Sequence, residues 1–409
     1  MTLAEVGVRQ LRLAETGKYR ILLAGIMRLA ARWNVPGRAG ALDAGALDNA
    51  YLLLAQIEQR ASPVVANLIE APQFGAWAND ALHRLLAFSD ADDVGPLEGD
   101  LGRLALFAAA AAIKTAQPFD VEVPLRDGAA SFPTLGTLRL DDAPGRRWAR
   151  VRQDSTACYA QSGGVVARLP GSLAQTRYWT PLPRVTVRER GLLLDVLLDS
   201  QDPFLDRYNV PRLHVSRPEL DRWRHRLTAG WEILAGRHPE LAAQVAETVR
   251  TVVPLASRVA GHQASATEET SFGAIALALP ADGLAMAEAL VHESHHAILG
   301  ALTDLEPLVS LDASGFVGHA PWRADPRPPH ALLHGIYARH AMGRFWRREY
   351  LAGPQAGRPQ AALQLDRLRE MLADAIPTLI NSGQLTEAGL ELLTPIVEDV
   401  AEWQAESLG

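Results

Sequence analysis

The sequence has a single cysteine, Cys158, among its 409 residues. One thiol cannot form an internal disulfide framework, and it cannot supply a cysteine-based zinc cluster. This scarcity fits a reducing compartment, because structural disulfides accumulate in oxidising ones. We therefore expect a cytoplasmic protein without a cysteine-based metal cluster.

The sequence also lacks a basic surplus and a long apolar run. Its 40 lysine and arginine residues are outnumbered by 47 aspartate and glutamate residues, a formal net charge of −7. Nucleic-acid-binding proteins carry a basic footprint, so this balance argues against that class. The apolar stretch 21–30 is interrupted by Arg28, is too short to span a bilayer and lacks the layout of a signal peptide. We expect a soluble protein that binds neither nucleic acid nor a membrane.

Residues 286–300 carry the strongest chemical signal. They read as an alanine-rich apolar helix that contains an H-E-x-x-H pentad at 292–296. Residues four apart share one helix face, so the imidazoles of His292 and His296 can converge on one divalent metal. Glu293 can polarise a metal-bound water or brace the site. The alternative is a pair of histidines in an ordinary helical core, which fits poorly because unpaired charged groups are costly to bury.

A second informative stretch follows at 318–337. Four prolines stiffen a loop there, and a helix is predicted from about 330 to about 351. On that helix His334 falls on the apolar face. A lone histidine in such a place is usually a satisfied core residue, but after a two-histidine metal helix we favour His334 as the third ligand. The competing candidates are His319, His330, His340 and Glu306.

The periodicity predicts three sections. Residues 1–117 have helical spacing, and residues 118–215 alternate with period two around turns such as Asp127-Gly128, which predicts an antiparallel β-rich section. Residues 216–409 form a helical catalytic unit with the H-E-x-x-H metal site. The predicted fold class is α+β, mainly helical, with a β-rich middle section and a zincin-like strand that precedes the metal-binding helix.

Three local features refine the last section. Ser216 and Glu219 have capping-box spacing at the start of a helix whose Trp223 and Trp231 fall on the buried stripe. A second helix is predicted at 239–253. The short apolar run 272–279 predicts the strand before the motif helix.

The β-rich section contains a basic cluster at 146–152. A solvated surface is favoured for this cluster over an acidic-peptide site, because scattered surface charge is the default. The exposed sheet edges of the same section could recognise a peptide by strand addition.

The two motifs together resemble the H-E-x-x-H-containing peptide-modifying proteins of bacterial ribosomal-peptide gene clusters, described as 2-oxoglutarate-dependent peptide β-hydroxylases. The resemblance covers roughly the last third of the chain. The first motif contributes His292, Glu293 and His296. The matching residues of the second motif are Trp322, Arg323, Asp325, Arg327, Pro328, Leu333, His334 and Gly335.

The resemblance implies an iron(II)- and 2-oxoglutarate-dependent hydroxylase that acts on the β-carbon of a residue such as Asp in a ribosomally made precursor peptide. Such a site needs a fixed cation for the distal carboxylate of the cosubstrate, and Arg323 and Arg327 are the candidates. Alternatively, either arginine pairs with Asp325 or a helix end. With His334 as third ligand, Glu293 would brace a ligand or be one itself.

Two other functions stay open. H-E-x-x-H alone points to a cytosolic zinc metallopeptidase in which Glu293 is the general base. A non-catalytic peptide-binding protein with a relic metal site is the third possibility. His295 adds an imidazole inside the pentad without an assigned role.

Overall fold

The structure is a computed structural model that describes residues 7–34, 45–89, 93–141, 145–171, 173–206, 211–256, 265–310 and 315–406. Helices account for 58% of it and strands for 18%, which confirms a mixed, mainly helical α+β class. The chain divides into two compact units. Unit 1 comprises Met1–Ala14, Val185–Val196 and Val215–Gly409, and unit 2 comprises Glu15–Arg184 and Leu197–His214.

The first part of the chain is helical, as predicted. Its five helices are α1 (Val8–Trp33), α2 (Gly45–Ile69), α3 (Pro72–Ala87), α4 (Val94–Leu101) and α5 (Leu104–Lys114). Helix α2 is kinked at Ala61, two residues before Pro63, whose ring cannot continue the hydrogen-bond ladder. The alanines at 108–112 are all buried, and their small side chains let α5 approach α2 closely. No helix in the described ranges combines the length and apolar character needed to cross a bilayer.

Unit 2 contains two antiparallel sheets. Their strands are β1 (Phe119–Pro124), β2 (Ala129–Phe132), β3 (Gly136–Arg139), β4 (Trp148–Gln153), β5 (Cys158–Ser162), β6 (Val165–Leu169) and β7 (Trp179–Pro181). The sheet orders are β1-β4-β5-β6 and β2-β3-β7, and the antiparallel pairing confirms that prediction. Asp127 and Gly128, with φ of 51° and 72°, form the predicted turn between β1 and β2.

A five-stranded sheet lies in unit 1. Its strands are β8 (Arg184–Glu189), β9 (Leu192–Leu198), β10 (Thr251–Leu255), β11 (Ser265–Thr267) and β12 (Ala274–Ala278), in the order β11-β12-β10-β9-β8. Strand β12 is parallel to β10 and antiparallel to β11. It is completely buried and is the strand predicted at 272–279.

The strands are grouped differently in the two units than in the three predicted sections. The three sections stay a prediction. Strands β8 and β9 lie within the section predicted as β-rich, yet they pair into the sheet that contains β10, β11 and β12. Most of the predicted helical section and most of the β-rich section fall together in unit 2.

Six helices complete unit 1. They are α6 (Arg217–Arg237), α7 (Pro239–Thr248), α8 (Gly283–Leu305), α9 (Pro329–Ala352), α10 (Arg358–Asn381) and α11 (Glu387–Ala405). The carboxylate of Glu219 accepts a hydrogen bond from the backbone N–H of Ser216 at 2.7 Å, as the capping-box spacing predicts. Trp223 and Trp231 are fully buried, so these side chains belong to the core.

One helix prediction was wrong in its last third. The helix predicted at 239–253 ends at Thr248, and Thr251–Leu255 forms β10. The β-branched residues Thr251, Val252 and Val253 favour an extended chain, and Pro254 has no N–H for a helical hydrogen bond.

Candidate functional site

The site is built on α8, which follows the buried strand β12 after a short connection. The Asp282 side chain caps the helix by accepting a hydrogen bond from the backbone N–H of Ala285 at 2.8 Å. Helix α8 contacts β11 and β12 on one side and the helices α6 and α9 elsewhere. A rigid helix between a sheet and two helices is well suited to hold functional side chains in place.

His292 and His296 converge as their spacing predicts. Their Nε2 atoms lie 2.9 Å apart, and their ring centres lie 4.8 Å apart. Burial lowers the pKa of His292 to about 3 and lowers the pKa of His296 well below its usual value. Both imidazoles are therefore neutral at physiological pH, which is the form that donates a lone pair to a metal.

Glu293 is buried beneath the edge strand β11. Its Oε2 atom accepts a hydrogen bond from the Thr267 hydroxyl at 2.7 Å, and the Ser265 side chain also hydrogen-bonds to the carboxylate. Burial raises the pKa of Glu293, against the opposing effect of these hydroxyls and of Arg339. The carboxylate thus ties β11 to the motif helix.

His295 does not face the histidine pair. It is buried, its Nδ1 atom lies 2.8 Å from the Val291 carbonyl oxygen, and its ring lies 5.7 Å from that of Tyr337. Burial lowers its pKa to about 4. The extra imidazole of the pentad is a neutral packing residue between α8 and α9.

His334 is the candidate third ligand that the structure brings to the pair. Its ring lies 6.0 Å from that of His296, with only 14° between the ring planes. Its Nε2 atom lies 3.5 Å from Oε1 of Glu269, an acidic residue that the sequence reasoning did not single out. Burial lowers the pKa of His334, and the Glu269 carboxylate opposes that effect.

The competing candidates lie elsewhere. His319 is exposed and faces Asp374, and His340 hydrogen-bonds to Asp399 at 2.7 Å and stacks on Trp403. His330 and Glu306 are exposed. None of these four has a described contact with the histidine pair.

Arg339 is a cation whose charge acts on the pair, and the sequence reasoning missed it. Its positive charge lowers the pKa of His292, of His296 and of Glu293. Its guanidinium carbon lies 4.0 Å from the centre of the Trp322 ring, and Nη1 donates to the carbonyl oxygen of Gly335 at 3.2 Å. Burial lowers the pKa of Arg339 to about 10, so it stays charged at neutral pH.

Gly335 explains how Trp322 reaches this position. A β-carbon at Gly335 would clash with the indole ring, so the ring packs directly on the backbone of α9. The loop is closed by two backbone hydrogen bonds of 2.8 Å between Gly318 and Arg327. The spacing of Gly335 and Arg339, four residues apart on one helix, is the signal that could have identified Arg339.

Arg323 and Arg327 pair with the same carboxylate. Arg323 Nε donates to Asp325 Oδ1 at 2.9 Å, and Arg327 Nη1 donates to Asp325 Oδ2 at 3.0 Å. The Arg323 side chain is 54% exposed and that of Arg327 is 33% exposed. Both arginines therefore pair with Asp325, which was the alternative to a role in cosubstrate binding. In this arrangement neither guanidinium is free for a cosubstrate.

The donor chemistry of the site suits a divalent transition metal, although the described residues contain no group of three or more His, Cys, Asp or Glu side chains arranged as metal ligands. The two Nε2 atoms at 2.9 Å are close enough to share one ion with metal–nitrogen bonds of roughly 2.0–2.1 Å. A neutral third imidazole stands beside them. His292 and His296 therefore fit such an ion, whereas His334 faces Glu269 at 3.5 Å and does not complete a three-ligand group in this arrangement.

The comparisons with known proteins found no match, either among models of protein families or among curated proteins.

Proposed function

We propose that the protein is an iron(II)- and 2-oxoglutarate-dependent oxygenase that hydroxylates the β-carbon of a residue, such as Asp, in a ribosomally made precursor peptide. His292, His296 and His334 would hold the iron. The bound iron would supply the oxidation in which 2-oxoglutarate and O₂ give succinate and CO₂ while one oxygen atom enters the substrate C–H bond. The proposal extends the resemblance of the two motifs to the whole site.

The observation that carries this proposal is the position of Arg339. A divalent metal beside this guanidinium would place three positive charges near two carboxylates, those of Glu293 and Glu269. Like charges in a poorly solvated site repel strongly, so the remaining positive charge favours a further anion. A dicarboxylate cosubstrate supplies such negative charge.

We further propose Arg339 as the residue that binds the distal carboxylate of the cosubstrate, a role assigned to Arg323 and Arg327 on sequence grounds. Guanidinium groups bind carboxylates bidentately, and a pre-positioned one loses little entropy on binding. Trp322 fixes Arg339 by stacking, and the Gly335 carbonyl oxygen orients one of its nitrogens. Arg323 and Arg327 would then stiffen the loop that presents Trp322.

Glu293 serves as a positioning residue in this proposal. Its hydrogen bonds from Ser265 and Thr267 fix the edge strand β11 against α8. Within the described residues β11 has a sheet neighbour, β12, on one side only. Its other edge can pair with an extended peptide, which would bring a substrate side chain toward the histidines.

The experiment is anaerobic loading of the purified protein with iron(II) and 2-oxoglutarate. We expect a metal-to-ligand charge-transfer band in the visible spectrum and, after admission of air, succinate formation that increases with substrate peptide. His340→Gln is the matched control, because His340 lies on α9 with Asp399 as its partner. Absence of both the band and succinate contradicts the proposal.

A zinc peptidase is the second candidate, favoured by the buried Glu293 with its raised pKa, since a general base works best when its pKa approaches the working pH. Glu293→Gln separates the two functions. A peptidase would lose hydrolysis by about 10²-fold or more, whereas an oxygenase would retain its charge-transfer band. Stoichiometric zinc in the native protein together with cleavage of a peptide pool would favour the peptidase.

A further inference from the structure

Unit 2 contains a cavity of about 590 Å³ that has no role in the proposed chemistry. This volume lies within the range of roughly 300–1,000 Å³ that is usual for ligand sites. Its charged lining consists of six arginines and three aspartates, although the whole chain is acidic. The arginines are Arg84, Arg103, Arg126, Arg139, Arg147 and Arg212. Two further aspartates outside the lining, Asp202 and Asp141, pair with Arg103 and Arg139, so the surplus of positive charge rests on Arg126 and Arg147.

Two arginines of the rim, Arg126 and Arg147, make no direct ion pair in the described part of the chain, although the charge of Arg126 acts on Asp100. Arg84 pairs with Asp100 at 2.7 Å and Arg212 with Asp206 at 3.2 Å, whereas the exposed guanidinium groups of Arg126 and Arg147 make no hydrogen bond or ion pair there. Arg126 and Arg147 can therefore bind an anionic ligand without breaking a direct ion pair.

Arg103 forms a fixed cationic floor. Its side chain is only 3% exposed, pairs with the buried Asp202 and packs against the Phe204 ring at 4.6 Å. Its Nε atom is buried and has no hydrogen-bond partner among the described residues. An unpaired buried donor is costly, and a ligand oxygen would satisfy it.

The wall of the cavity includes one edge of β2, where a single residue keeps its outward main-chain groups for a ligand. Residues Ala129, Ala130 and Ser131 of β2 line the cavity, and within the described sheets β2 pairs with β3 alone. The Leu140 N–H donates to the Gly128 carbonyl at 2.8 Å, so Gly128 is a hydrogen-bonded position of the β2–β3 ladder. Because such positions alternate, the main-chain N–H and C=O groups of Ala129 and Ser131 point away from β3. The main-chain groups of Ala129 bond to Arg126, whereas those of Ser131 can bond to a ligand.

We infer that this cavity binds an extended acidic peptide segment, which hydrogen-bonds to the main chain of Ser131 in β2 and places carboxylates on Arg126 and Arg147. In an extended chain alternate side chains face the same way, so acidic residues at every second position would all face the arginines. The three aspartates of the lining disfavour a dense polyanion such as nucleic acid or polyphosphate. The inference rests on the proposed function only in taking the segment to be the recognition part of the substrate peptide.

Binding can be measured on the full chain without metal, so its outcome is independent of the hydroxylase test. The probe is a fluorescein-labelled octapeptide with Glu at alternate positions, and fluorescence anisotropy reports the Kd. We expect about tenfold weaker binding when Gln replaces Glu in the peptide, and a similar loss in the Arg126→Gln/Arg147→Gln variant. Added salt should weaken binding, because the rim is exposed.

The control variant is Arg152→Gln/Arg168→Gln, which removes two exposed arginines of the neighbouring sheet that do not line the cavity. Its Kd should stay within about twofold of the wild-type value. N-methylation of alternate peptide bonds tests the main-chain hydrogen bonds with the protein unchanged, and loss of binding for only one of the two methylation registers is expected.

Three results would overturn the inference. They are no binding of the acidic octapeptide, equal binding by the Arg126/Arg147 variant and the wild type, and tighter binding of a polyphosphate or single-stranded oligonucleotide of the same charge. The last result would assign the cavity to a phosphate polymer instead.

Discussion

The guanidinium carbon of Arg339 lies 4.0 Å from the centre of the Trp322 ring, and this stack joins the proline-rich loop to helix α9. Trp322 lies on Gly335, one helical turn before Arg339. Three residues that are separated along the chain thus form one side of the histidine site.

Arg339→Gln should weaken 2-oxoglutarate binding in the iron-loaded protein by about ten- to a hundredfold, because a hydrogen-bonded charge contributes roughly 1.5–3 kcal/mol. The measurement is titration of the charge-transfer band with 2-oxoglutarate. Arg344→Gln is the control, since Arg344 lies on the same helix and pairs with Glu240 at 3.0 Å. Unchanged affinity in Arg339→Gln would reject the role of Arg339 and return Arg323 and Arg327 as candidates.

Gly335→Ala should destabilise the protein by about 1–3 kcal/mol, because its methyl group would force the Trp322 ring and the loop to move. Urea denaturation followed by circular dichroism measures the change. Gly236→Ala is the matched control: nothing lies within 4 Å of the added methyl group, and alanine is the better helix former, so this variant should be neutral or slightly more stable. Equal effects of the two substitutions would contradict the packing argument.

Substitution of the histidines should separate ligands from neighbours. His292→Ala should abolish stoichiometric binding of iron(II) or cobalt(II), and His334→Ala should weaken it by more than about 100-fold, beyond the usual effect of losing a supporting residue. His295→Gln should leave metal affinity within about tenfold of the wild-type value, because its ring packs against Tyr337. If His334→Ala has no effect and Glu269→Ala does, Glu269 is the third ligand.

Glu349 should make stability depend on pH. Burial raises the pKa of this carboxyl, but hydrogen bonds from His238 and Arg237, at 2.6 and 2.8 Å, outweigh that effect and lower the pKa overall. A lowered pKa means that the stabilisation is present above the unfolded-state pKa of about 4.3 and is lost as pH falls through the folded-state value.

Glu349→Gln should therefore cost about 1.5–3 kcal/mol of unfolding free energy at pH 7, since it removes the charge that accepts hydrogen bonds from Arg237 and His238 in a partly buried cluster. Below about pH 4 the difference from the wild type should shrink, because the wild-type carboxyl becomes protonated there as well. Urea denaturation at a series of pH values measures both. A difference independent of pH would show that packing, and not charge, stabilises this region.

Local geometry made part of this site predictable. The convergence of His292 and His296 follows from the helical repeat, and the buried Trp223 and Trp231 follow from the stripe on α6. The helix that carries His334 was predicted within one residue at each end. Such features depend on residues close in sequence, so the pattern of residues is sufficient.

Other features could not be read from local pattern. Strand β9 pairs with β10, which lies more than 50 residues later in the chain, and β-strand pairing depends on distant partners. The strand at Thr251–Leu255 was mistaken for helix because it continues directly from α7. The position of His334 and His340 on α9 did not show that His334 lies beside His296 and that His340 bonds to Asp399. The sequence of the loop did not show that Arg323 and Arg327 both pair with Asp325.

The amino-acid order alone is sufficient to place the imidazoles of His292 and His296 and the carboxylate of Glu293 on one helix, and a single cysteine excludes a set of thiolate ligands. Which other residues lie beside these side chains depends on the tertiary structure. It placed His334 and Arg339 beside the pair, placed Thr267 on Glu293, and placed His295 in the core. The physical reason is that the helical repeat fixes which side chains share a face, whereas only the packing of α8 against α9 and β11 fixes what that face contacts.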